Sequence, residues 1–242
     1  MKETHIHQEN RYFQKFQEYI REFVYGGIDG AITTFAVVAG GFGANLDSGI
    51  IIILGFANLL ADGFSMSVGA YLSAKSDKEN YKKHEALEYW EIENLPETER
   101  EEISDIYKAK GFEGELLEKV VDQITSNKDL WVAEMMKDEL NLMEETKSPF
   151  KIGLATFISF IIVGFIPLTV YLWTFVYPSP INIFFWTSVL TTLAFVIIGA
   201  LKSLVNQTSP IKSIAETVAL GLLAAIVAFY VGDILQTFFI KS

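Results

Sequence analysis

Five stretches of this sequence are each apolar over the length of a membrane span, which rules out an ordinary globular fold. They run from Phe23 to Gly43, Ser48 to Leu72, Ile152 to Phe175, Ile183 to Leu201 and Ile214 to Phe238. A bilayer core of ~30 Å is crossed by roughly 20 helical residues. The second and fifth stretches carry Asp62, Glu216 and Asp233, as buried helices of a soluble protein could. Five runs of spanning length in one 242-residue chain are not a soluble pattern. The expected fold is therefore an all-α polytopic membrane protein with five transmembrane helices.

Charge is confined to one place. The chain is 50% hydrophobic yet carries a net charge of -11, and 21 of its 30 acidic residues lie between Asp77 and Glu145. That separates residues 1–75, an amphipathic N-terminal segment plus the first two spans, from an acidic module at 76–150 and from three further spans at 151–242. The absence of a basic patch argues against nucleic acid and for cationic partners. With no cysteine, disulfides, thiolate zinc sites and iron–sulfur clusters are excluded.

Lysine and arginine set the orientation. Lys2, Arg11, Lys15 and Arg21 precede the first span, twelve more lie between Lys75 and Lys151, and Lys202 and Lys212 flank the fourth connection. The loops after the first and third spans have none. The positive-inside rule then places the N-terminus and the module in the cytoplasm and the C-terminus outside. The N-terminal segment has no apolar core or cleavage site of a secretory signal. With the compact length, that favours a prokaryotic plasma membrane over a vacuole.

The module, inserted between helices 2 and 3, reads as helical. Ser73 to Glu93 contains neither Gly nor Pro and continues the second span; Pro96 then breaks the chain and can start a helix that ends at Gly111. Further helices are expected over Glu113 to Ile124 and Asp129 to Met143. So small a bundle has little core of its own, and a second copy is expected beside it.

Its carboxylates are spaced for convergence. Glu88 and Glu91 are three apart before Pro96, Glu99 and Glu102 three apart after it, and residues three apart share a helical face. A hairpin at Pro96 would bring the two pairs together, and such oxygen-rich clusters suit Mn²⁺ and Fe²⁺. Met136 and Glu139 repeat the spacing, and a thioether beside a carboxylate favours Fe²⁺ over Mg²⁺ or Ca²⁺. Against this stands the ordinary reading of a dense glutamate run as a solvated helix face.

Ionisable groups within spans are costly and mark pathways or partners. Glu18, Glu22 and Asp29 follow at intervals of four and seven on one helical stripe leading from the cytoplasm into the bilayer. Asp29 lies in Tyr25-Gly-Gly-Ile-Asp-Gly30, where small residues allow close helix approach. Asp62 and Met66 are four apart in the second span, so carboxylates and one soft thioether could form an intramembrane site. Ordinary packing is the competing account of a lone Met.

In this order the motifs resemble the vacuolar iron transporter family over nearly the whole chain. Arg21-Glu22 ahead of Asp29-Gly30 is similar to its first helix, and Ala61-Asp-Gly-Phe-Ser-Met66 followed by Gly69-Ala-Tyr71 to its second. Glu88, Glu91, Glu99, Glu102, Ile106-Tyr107 and Met135-Met-Lys-Asp-Glu-Leu140 resemble its metal-binding domain, and Pro167-Leu and Gly199-Ala-Leu-Lys-Ser203 its third and fourth spans. The resemblance implies a five-span homodimer that exports Fe²⁺ or Mn²⁺ from the cytoplasm in exchange for protons, with the metal as substrate and no prosthetic group. It implies Asp29 and Met66 as the metal-passing pair and Glu18 and Glu22 as the cytoplasmic entrance. Two departures stand out. Ala70 replaces the Glu of a Gly-Glu-Tyr motif, a charge Asp62 could supply from one face over, and Met136 stands where another carboxylate is expected.

Two other classes compete. A membrane-embedded enzyme would need a histidine-rich centre or a nucleophile with a base, and His5, His7 and His84 all lie outside the spans. A non-transporting metal sensor or storage scaffold accounts for the module but leaves Glu18, Glu22, Asp29, Asp62 and Met66 unused. Transport of metal through a lipid-embedded chain accounts for both sets.

Overall fold

The structure, a computed structural model, describes residues 11–239, with side chains from Tyr19 onward. The helices are α1 (Arg11–Gly43), α2 (Ser48–Asn94), α3 (Pro96–Ala109), α4 (Gly114–Thr125), α5 (Lys128–Glu134), α6 (Pro149–Gly164), α7 (Ile166–Val176), α8 (Ile183–Asn206) and α9 (Pro210–Phe239), with a π-helical turn over Met135–Glu139. No strand occurs among the described residues. The chain forms two compact units, residues 73–146 and the remainder, and α2 runs continuously through both.

In the membrane unit, α1, α2, α8 and α9 are each long and apolar enough to cross a bilayer, and the bent pair α6 and α7 is together long and apolar enough for a fifth. At 1.5 Å per residue, the 47 residues of α2 are about twice as long as a span requires. Only its apolar first half, up to Leu72, is suited to hydrocarbon. Burial is inverted relative to a soluble protein. Thr34, Thr156, Ser159, Thr187 and Thr191 are buried, while Ile53, Phe64, Ile197 and Phe238 are more than half exposed, as expected where lipid is the solvent.

Small residues let α1 lie at the centre, against α6, α7, α8 and α9. A Cβ on Gly26 would lie 2.8 Å from the Thr156 carbonyl, and one on Gly164 would lie 2.8 Å from the Gly30 carbonyl. The α1 and α6 backbones are therefore nearly in contact, the packing that small residues permit where no hydrophobic effect drives association.

The third span departs from the straight helix expected over Ile152 to Phe175. It breaks at Phe165, and its two halves are bent by 46°. Pro167 is the cause: it has no N–H for the Val163 carbonyl and its ring crowds that turn. The Leu168 amide reaches back only three residues, to Phe165 at 3.0 Å.

The module packs around Ile92, Ile103, Leu117, Val121, Ile124, Trp131, Val132, Met135 and Met136. Pro96 occupies the first turn of α3, where its missing N–H is harmless. Gly111 takes φ +95° just beyond the end of α3, a conformation suited to glycine. The Asn127 side chain caps α5, accepting from the amides of Asp129 and Leu130 at 3.0 and 3.1 Å. The single helix expected over Asp129 to Met143 is not formed. α5 ends at Glu134, the π turn follows, and Asn141 at φ 53° turns the chain out of the helix.

Candidate metal centre

The two halves of the Pro96 turn bring their carboxylates together. Glu88 and Glu91 project from α2 and Glu99 from α3, with one carboxylate oxygen of each within 4.8 Å of the other two. Glu88 and Glu99 are only 3% and 4% exposed, and one oxygen of each has no hydrogen-bond partner. Glu102 on α3 and Glu139 on the π turn are near enough to act on the same groups electrostatically.

That arrangement is unfavourable without a cation. Burial first, then the negative charges of Glu139, Glu99, Glu91 and Glu102, push the Glu88 carboxyl up to about 7. Glu99 is likewise pushed up to about 7, by burial and then by Glu102, Glu91 and Glu139. Glu139 is raised by burial and by Glu102 and Glu91. Nearby cations have other partners: Arg100 pairs with Asp122, Lys110 with Asp138 and Lys128 with Glu93. Buried like charges with bare oxygens either keep protons or bind a cation. Several carboxylate oxygens on two helices are a donor set for a divalent ion of hard or borderline character.

The π turn changes the reading of Met136. The Leu140 amide bonds the Met135 carbonyl at 3.2 Å, five residues back. With about 4.4 residues per turn in such a segment, positions four apart stay closer in angle than positions three apart. By that angle Met135 joins Met136 as a thioether candidate beside Glu139. Both methionines are buried in the module core. Three-residue spacing singled out Met136; the four-residue spacing of Met135 to Glu139, which a regular helix also places on one face, was the signal available.

The groups of the membrane unit lie along α1 and α2. Glu18 belongs to α1, but its side chain lies outside the described residues. One oxygen of Glu22 is 3.3 Å from Lys147 Nζ, and the other is buried without a partner. Asp29 is half-buried and its carboxylate makes no hydrogen bond among the described residues; Thr33 Oγ1 donates instead to the Asp29 backbone carbonyl at 3.0 Å. Asp62 is exposed on α2 and close enough to Asp29 for the two charges to interact. Met66, one turn further, is half-buried against the cluster of Val38, Leu59 and Phe160.

Two polar groups were not anticipated from the sequence. Lys147 seemed one more cytoplasmic cation, and nothing local marks it as the partner of Glu22. Asn58, one turn before Asp62, has a buried Nδ2 with no partner; a lone amide inside an apolar run was the available signal.

The model of the VIT family matches residues 20–233. A vacuolar iron transporter of Toxoplasma gondii is 34% identical over 240 residues, covering 96% of this chain and 79% of its own length. One of Plasmodium falciparum is 32% identical, covering 95% and 86% respectively. Vacuolar iron transporter 1 of Arabidopsis thaliana is 32% identical, covering 90% and 87%.

Proposed function

The chain belongs to the VIT family, and from that premise we propose that it carries divalent iron, and manganese with it, out of the cytoplasm across its membrane. The observation that carries this reading is the buried group of Glu88, Glu91 and Glu99, in a chain that also places Glu22, Asp29 and Asp62 in its membrane unit. A metal-binding module alone would need no carboxylates there.

In the proposed cycle the glutamates of the module, with Glu102, Glu139 and a methionine of the π turn, collect Fe²⁺ or Mn²⁺ on the cytoplasmic side. Glu18 and Glu22 form the entrance, and Asp29, Asp62 and Met66 the crossing. Carboxylates that bind metal must first lose their protons. A carboxylate that releases its cation at the far side can take a proton back, which couples metal exit to proton entry at Asp29. A homodimer is part of the proposal: Asp62 is exposed on the apolar half of α2, and a second copy would give it a setting other than lipid.

The test is uptake of Fe²⁺ and Mn²⁺ by proteoliposomes holding the purified protein, with a pH dye in the lumen. Metal entry with matched proton release is the expected result. Binding without flux of either metal would hand the protein to the sensor or storage class.

A further inference from the structure

Lys147 lies in the segment leading into α6, next to the N-cap residue Ser148. Its ammonium is 3.3 Å from Glu22 Oε1, with the two side chains 26% and 14% exposed. Glu22 Oε2 is buried and has no hydrogen-bond partner. The backbone beside the lysine is tied to the same end of α1, because the Ser148 amide donates to the Tyr19 hydroxyl at 3.3 Å. Glu22 thus has one oxygen neutralised from within the chain and one left bare.

The carboxylate therefore has acceptor capacity to spare. A carboxylate offers about four acceptor sites, and a lysine ammonium is a compact point charge that needs few of them. A divalent cation drawn to the bare oxygen would stand beside the ammonium, and like charges that close repel strongly when partly shielded from water. The lysine is the group better able to yield, because its flexible four-carbon stem is a quarter exposed and can carry its head towards water.

We propose that Lys147 is a tethered counterion of Glu22, neutralising this carboxylate when no divalent cation is bound and being displaced into water when one arrives. The inference rests on the reading of Glu22 as part of the cation route. It gives Lys147 a role in specificity. A monovalent ion brings no more charge than the ammonium it must displace, whereas a divalent ion brings twice as much. The tether also raises the metal concentration needed for occupancy, which limits loading when metal is scarce.

The direct test is acylation of lysines in the full-length, detergent-purified protein by an amine-reactive ester, with and without Mn²⁺ at matched ionic strength. Labelling of Lys147 is followed by peptide mass spectrometry. Lys147 labelling should rise several-fold with Mn²⁺, and rise equally in E88A/E99A, which removes the module site. Unchanged or reduced labelling overturns the proposal, as does a rise that disappears in the double variant. In proteoliposomes, Lys147→Met should lower the half-saturating Mn²⁺ concentration several-fold, while Lys147→Arg should not. If wild type carries no Mn²⁺, the transport reading fails and the labelling result still decides the role of Lys147.

Discussion

Glu88 and Glu99 stand on opposite sides of the Pro96 turn, yet both are buried and one carboxylate oxygen of each lies within 4.8 Å of the other. Such a pair is unstable as two bare anions. The module therefore has two ways to relieve it, protonation and metal binding, and these respond oppositely to pH.

In the metal-free protein, stability of the module should fall as pH rises from about 4.5 to about 7. Both carboxyls are pushed up to about 7 in the folded state from an ordinary value of 4.5. The folded state therefore holds protons that the unfolded chain has already released, and their stabilising effect is lost as pH climbs through that window. With saturating Mn²⁺ the trend should invert, because the metal requires the deprotonated form. Thermal unfolding followed by tryptophan fluorescence checks both, and a metal-free protein that grows more stable across the window would contradict the burial of these groups.

Replacing Glu88 and Glu99 together by alanine should weaken Mn²⁺ binding by at least about tenfold, the lower end of what disturbing a metal site costs. Calorimetric titration of the full chain measures it. Unchanged affinity would return these residues to the role of a charged helix surface.

Asp29→Asn should abolish metal flux while leaving folding and assembly intact. The amide keeps the shape of the side chain but loses the charge and the ability to give up and regain a proton. Metal-driven proton flux surviving in this variant would remove Asp29 from the mechanism.

Gly30→Ala should destabilise the membrane unit by about 1–3 kcal/mol, the usual cost of overpacking, since its Cβ would collide with the Phe160 backbone carbonyl of α6. Gly69→Ala is the control, because nothing lies within 4 Å of a Cβ there. Melting in detergent should separate the two, and equal effects would argue against the close α1–α6 contact.

Much of the layout was legible because it depends on properties that accumulate along a segment. Apolar runs of spanning length are visible without any contact being known, and so is the jump in charge at Asp77. The pairs Glu88–Glu91 and Glu99–Glu102 were legible for the same reason, since a three-residue spacing fixes a shared face wherever the helix is regular. Where regularity failed, the reading of the elements failed with it: Pro167 broke the third span at Phe165, and the helix expected over Asp129 to Met143 ended at Glu134 in a π turn.

The sequence by itself thus determined the helical class, the membrane-spanning character and the acidic module, because helix periodicity and transfer of side chains out of water act locally. Only the tertiary structure decided that Glu88, Glu91 and Glu99 converge, that Lys147 finds Glu22, and that α1 and α6 nearly touch at Gly30 and Gly164. These depend on the direction in which separate elements aim their side chains, and packing between helices sets that direction.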